Sequence, residues 1–320
     1  MAGSDRDAPV LSRRALLTLG AGATLAVAAP SLTYLLRQGV TAVPEGTAAT
    51  PPGASRSRPG HATLGSFDFR PAGLPEIPVH YALGAGDPGT ARLVVVMHGD
   101  SRNAGDYRDA WADLIADLPL VVVAPEFNQN HFPGAREYNQ GGLLDAHDRL
   151  RPRSAWTFSY IEPLFHQMRQ RLAGQQTSFD LFGHSAGAQF VHRYVELAPS
   201  PLLRSAIAAN AGWYTMPDPA IDYPYGSGGV TRGLVDWSVT FATQLTVLLG
   251  QDDVLDDNLR HDDGADAQGL TRWARGHAFY DRARHDAAAL GLPFAWQLRA
   301  VAGVGHDYQA MSAAALELWR

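Results

Sequence analysis

The chain has 320 residues, 46% hydrophobic and 18% charged, with a net charge of −6 and no basic block; this is ample for one large core and argues against a nucleic-acid partner. It contains no cysteine, which excludes thiol nucleophiles, disulfides, iron–sulfur clusters and cysteine–zinc sites. All 26 basic residues are arginine, which excludes Ser–Lys dyads, lysine Schiff bases and the phosphate-binding lysine of a P-loop, so a serine nucleophile here must use histidine as its base.

Ser12-Arg13-Arg14-Ala15-Leu16-Leu17 opens a mildly apolar segment that runs to Leu36 and contains Ala26-Val27-Ala28, a small-x-small cleavage pattern. Residues 1–36 resemble a twin-arginine signal peptide, although Leu16-Leu17-Thr18 stands where that motif usually carries Phe and Lys. The resemblance implies export through the twin-arginine machinery to the periplasm or the medium. An uncleaved membrane anchor over residues 15–36 is the alternative, and Gly20 and Gly22 weaken it. Residues 37–62, rich in Pro, Gly, Ala, Thr and Ser, read as a flexible linker, leaving 63–320 as the folded domain.

Within that domain Ser66–Arg70 and Val79–Leu83 are expected opening strands. Ala91–Met97 is an unbroken apolar run of the kind that suits a strand buried on both faces of a parallel sheet. It ends in His98-Gly99-Asp100. Asn103 with Asp106 marks a helix start, and Tyr107, Ala110, Trp111 and Leu114 give that helix an apolar face. Leu118–Ala124 is the next strand. Residues 125–155 show no period and carry Phe127, Phe132, Tyr138 and several Gly, Pro and Asn; a loop of this length in a compact domain is usually functional. A helix follows over Tyr160–Leu172.

Thr177–Gly187 organises what comes after. A short apolar run breaks at Gly183-His184-Ser185-Ala186-Gly187, and Phe190, Val191, Tyr194 and Val195 then recur at helical spacing. Strand, sharp turn and helix are the setting in which Gly-x-Ser-x-Gly presents a serine hydroxyl at a strand's C-terminal end. Arg204–Asn210, Gln244–Leu249 and Ala295–Val301 read as further strands, Thr271–Leu290 and Tyr308–Trp319 as helices, and 218–235 as loop. Strands alternating with helices predict an α/β fold with a mostly parallel central sheet and helices on both faces. Ligands in such sheets bind at the strands' C-terminal ends, where His98-Gly99, Ser185, Asp252-Asp253 and His306 all fall.

The order serine, acid, histidine is that of the α/β-hydrolases, and the chain resembles that superfamily over residues 65–320 through His98-Gly99-Asp100, Gly183–Gly187, Gly250-Gln251-Asp252-Asp253 and Gly303-Val304-Gly305-His306. More narrowly it resembles exported bacterial esterases near the polyhydroxyalkanoate depolymerase and feruloyl esterase-like group, without the disulfide many depolymerases carry and without a separate polymer-binding domain. The resemblance implies Ser185 as nucleophile, His306 as base, and Asp253, the third residue after the strand's glycine, as the acid, ahead of Asp252, Asp256 and Asp257. It also implies an oxyanion hole from the backbone N–H groups of Ala186 and Asp100. The Asp100 carboxylate would repel an oxyanion, so its side chain is expected to turn away, toward Arg102. His98 is expected to order its loop and His184 to face away from Ser185.

Trp213, Phe127, Tyr138 and Trp156 are candidate pocket walls. Asp252–Asp257 lacks the glycine and distal glutamate of an EF-hand loop, so no metal and no cofactor is implied. The expectation is a serine hydrolase acting on a small-molecule or polymeric carboxylic ester. An amidase, peptidase or thioesterase on the same fold is the alternative, and a non-catalytic exported binding protein is the alternative of another class.

Overall fold

In the computed structural model residues 60–320 are described; the signal segment and nearly all of the linker expected above lie outside them. Among the described residues no helix is long and apolar enough to cross a membrane. Eight strands form one sheet: β1 (Thr63–Phe69), β2 (Ile77–Leu83), β3 (Arg92–Met97), β4 (Leu120–Pro125), β5 (Phe179–His184), β6 (Leu203–Ala209), β7 (Leu245–Gly250) and β8 (Gln297–Val301). Their spatial order is β1-β2-β4-β3-β5-β6-β7-β8. β2 runs antiparallel to both β1 and β4, and every pairing from β4 through β8 is parallel.

The helices are α1 (Ala104–Ile115), α2 (Gly134–Glu137), α3 (Ile161–Arg171), α4 (Ala186–Leu197), α5 (Trp237–Ala242), α6 (Asp263–Asp266), α7 (Arg272–Leu290) and α8 (Tyr308–Glu317). The unbroken apolar runs of β3 and β4 are explained by burial on both faces. Leu93, Val95, Met97, Val121 and Val123 pack with α3, α4 and α7, whereas Val94, Val96 and Val122 pack with α1 and α8. Asn103 does sit at the N-terminus of α1, but its side chain makes no cap bond; its Nδ2 donates to Asp106 at 2.8 Å instead. α5 lies just past the stretch expected to be loop and was not anticipated, because six residues are too few to show a helical period.

The polar end of the sheet, opposite the site, carries a buried charge. Asp180 on β5 is fully buried and accepts from Arg92, Arg204 and Ser205. Burial pushes the Asp180 carboxyl up, and the bonds from Arg204, Arg92 and Ser205 outweigh it, so the group stays below its ordinary range.

Candidate active site

Five strands deliver side chains or backbone to one end of the sheet: His98–Asp100 after β3, Ser185 after β5, Asn210 after β6, Asp253 after β7 and His306 after β8. Ser185 joins β5 to α4 at φ 58°, ψ −117°, a conformation that L-residues rarely adopt. Two glycines permit the turn. A Cβ at Gly183 would collide with the backbone of Gly187, and a Cβ at Gly187 would collide with the carbonyl oxygens of Met97 and His98. Helix α4 therefore starts close against the ends of β3 and β5, and Ala186, its first residue, lines the same cavity as Ser185.

His306 Nδ1 lies 2.7 Å from Asp253 Oδ2. The Asp253 side chain is almost wholly buried, and its Oδ1 accepts from Arg272 Nη1 at 3.2 Å. With Nδ1 donating to the carboxylate, Nε2 of His306 is the free acceptor. Asp252, one residue earlier, is exposed; its backbone N–H donates to the Val304 carbonyl at 2.9 Å and zips the turn after β7 to the loop that carries His306. Ser185 and His306 line one cavity of about 740 Å³ without a direct hydrogen bond between them. Apo sites commonly show this looseness and tighten on substrate.

His98 is buried, accepts from the Phe127 backbone N–H on Nε2 at 3.1 Å and donates from Nδ1 to the Gly99 carbonyl at 2.9 Å. Burial is the main reason that its pKa falls to about 3, so the ring is a neutral strut for the Gly99-Asp100 turn. Tyr138 stacks on that ring at 4.6 Å and donates its hydroxyl to the His98 carbonyl at 2.7 Å.

Several expectations need correction. Arg102 does not meet Asp100. It is buried at φ 58°, donates to the carbonyls of Phe127 and Gly134, and sits over the Tyr138 ring. Asp100 is exposed and is the one carboxylate in the cavity lining. His184 does not face away: it lines the cavity, its ring lies 4.5 Å from that of His306, and Tyr107 Oη pairs with its Nδ1 at 3.2 Å. Burial first, and then the charge of His306, hold the His184 pKa well below its ordinary value.

Of the four candidate wall aromatics only Trp213 lines the cavity. Phe127, Tyr138 and Trp156 are buried in the core under the long loop, where Phe127 and Tyr138 pack on Phe190 and Trp156 donates to the Arg151 carbonyl. That loop folds inward because its aromatics fill the space over α4, and only Ala135 and Asn139 from it reach the cavity.

The sequence reading missed Asn210, Arg272, Gln189 and Arg260. Asn210, at φ 51°, accepts from the Gly250 N–H at 2.8 Å and donates to the Gly305 carbonyl at 3.0 Å. Its position at the C-terminal end of β6, between the strand ends that carry Ser185 and Asp253, was the available signal.

No protein-family model matches the chain, and no curated protein does. Among solved structures the poly(aspartic acid) hydrolase-1 of Sphingomonas sp. KT-1 is 39% identical with a TM-score of 0.76, matching 82% of this chain and 100% of that one. The poly(3-hydroxybutyrate) depolymerase of Bordetella parapertussis is 35% identical, also with a TM-score of 0.76, matching 81% and 90% of the two chains. The S-formylglutathione hydrolase of Agrobacterium tumefaciens, 18% identical with a TM-score of 0.51, agrees in fold alone. The eight-stranded, mostly parallel sheet and these two near full-length matches lead to one conclusion: the chain belongs to the α/β-hydrolase superfamily.

Proposed function

We propose that the protein is a serine hydrolase that cleaves carboxylic esters through an acyl-enzyme on Ser185. The observation that carries this reading is the convergence, in one cavity, of a strained elbow serine with a histidine whose Nδ1 is held 2.7 Å from a buried carboxylate. His306 Nε2 takes the Ser185 proton as Oγ attacks the carbonyl carbon. The oxyanion is received by the N–H groups of Ala186 and Asp100, and among the described residues the Asp100 N–H has no acceptor. As the tetrahedral intermediate collapses, the alcohol leaves with the proton from His306. Water then attacks the acyl carbon by the same route, releasing the acid and restoring Ser185.

Hydrolysis of p-nitrophenyl esters of increasing acyl length tests this. Ser185→Ala should lower kcat/KM by at least about 10³-fold. Full activity in that variant, or no labelling of folded wild-type protein by a fluorophosphonate, would reject the nucleophile.

Amide cleavage is the second reading, because the 39% identical relative is a poly(aspartic acid) hydrolase and the triad does not select the leaving group. Export rests on the twin arginines and the Ala26-Val27-Ala28 pattern, and N-terminal sequencing of protein recovered outside the cytoplasm tests it.

A further inference from the structure

The cavity beside Ser185 is not apolar. One of its walls is made by Gln189, Gly212, Trp213 and Arg260. Gln189 lies one helical turn after Ser185 on α4. Its Oε1 is taken by Asn139 Nδ2 at 2.8 Å, which leaves Nε2, without a hydrogen-bond partner among the described residues, against Gly212. A Cβ at Gly212 would press on that amide nitrogen at 3.0 Å. The guanidinium of Arg260 lies 5.5 Å from the Trp213 ring centre and 5.7 Å from that of Tyr225; its Nε donates to Asp262 Oδ2 at 2.5 Å, an oxygen that also accepts from the Tyr225 hydroxyl, and among the described residues neither terminal nitrogen is paired with a carboxylate. The Arg260 side chain is 47% exposed, so those donors are open to solvent and to the cavity.

Behind Trp213 stands a second guanidinium. Arg193 is fully buried, 4.1 Å from the same ring centre, and donates to Thr215 Oγ1 and to the carbonyls of Asn139 and Gln189. Its only neighbouring acid on α4, Glu196, is buried with both oxygens unpartnered, and burial pushes that carboxyl well up, so Arg193 keeps its positive charge without neutralisation. Two cations flanking one indole, with an amide donor beside them, make this wall a receptor for negative charge. The Asp100 carboxylate, on the loop after β3, is the only opposing charge in the lining.

We infer that the Gln189–Trp213–Arg260 wall binds a carboxylate carried by the substrate, so that the preferred substrate is an acidic ester rather than a neutral one. The hydrolysis itself rests on the reading proposed above, whereas the carboxylate subsite does not require it. A charge-assisted contact of this kind is worth about tenfold to a hundredfold in selectivity.

Two measurements decide it. In the first, calorimetry on Ser185→Ala protein compares adipate with its dimethyl ester. Adipate should bind at least about tenfold tighter, an advantage that Arg260→Gln removes, Arg260→Lys restores in part and Asp262→Asn increases, since it frees Arg260 Nε from its carboxylate. Equal binding of diacid and diester, or a preference untouched by Arg260→Gln, would overturn the subsite. In the second, a pH-stat follows hydrolysis of monomethyl and dimethyl adipate by wild-type protein and Arg260→Gln. The ratio of the two kcat/KM values should fall about tenfold in the variant; an equal loss on both esters counts against the subsite. Hydrolysis of neither ester would reject the esterase reading alone and leave the binding comparison to decide the subsite.

Discussion

Asn210 Nδ2 donates to the carbonyl oxygen of Gly305, the residue immediately before His306, at 3.0 Å. The same amide accepts from the Gly250 N–H at 2.8 Å, three residues before Asp253. One side chain at the end of β6 therefore holds both the loop that carries the histidine and the turn that carries the acid.

Asn210→Ala should lower kcat/KM about tenfold and stability by about 1–3 kcal/mol, because it leaves the buried Gly250 N–H unsatisfied and puts alanine, which tolerates the left-handed region less well than asparagine, at φ 51°. Asn210→Gly relieves the backbone strain but not the lost bonds. Steady-state kinetics and urea denaturation separate the two: if Gly restores full activity, the amide does not position His306.

Asp253→Asn should reduce kcat by about 10⁴-fold through the wrong histidine tautomer, with Asp252→Asn staying within about threefold. The same change strands the Arg272 guanidinium in a buried site without its carboxylate, at a cost of about 3–5 kcal/mol. Kinetics beside thermal unfolding check both arms. A silent Asp253→Asn would return the acid to another aspartate.

Gly187→Ala tests the close approach of α4 to β3. Its methyl group has no room beside the Met97 and His98 carbonyls, so the helix must shift and carry Ser185 with it. The expected outcome is a loss of at least about 3 kcal/mol in stability together with activity. Native-like stability and rate would show that α4 and β3 do not need this close approach to hold Ser185.

Acidification should destabilise the fold well before the aspartates titrate. His98, His184 and His192 are buried with lowered pKa values, chiefly because burial disfavours their charged forms. In the folded chain they stay neutral; in the unfolded chain they take up protons below about pH 6.5, so stability is lost as pH falls through that range. Glu196 works the other way, since its raised pKa keeps a proton in the folded chain that the unfolded chain gives up above about pH 4.5. The net uptake on unfolding near pH 5 is roughly two protons, or about 3 kcal/mol per pH unit. Urea midpoints between pH 7 and 5 measure this slope, and a flat profile would mean that the three rings are already charged in the fold.

The architecture was legible because period and punctuation survive in sequence. Apolar runs ending at glycine marked β3, β5 and β7, and the helical spacing after Ser185 marked α4, since a strand buried on both faces and a helix with one buried face impose different repeats. The chain by itself thus determined the fold class and which residues stand at strand ends. It also limited a serine nucleophile's base to histidine, since cysteine and lysine are absent. Only the tertiary structure decided which of two adjacent aspartates reaches His306. It also decided that Phe127, Tyr138 and Trp156 support the core while Trp213 lines the cavity, and that Arg102 braces carbonyls rather than meeting Asp100. Those outcomes depend on how aperiodic loops pack against one another, and such contacts join residues far apart in the chain that carry no local signal of their partner.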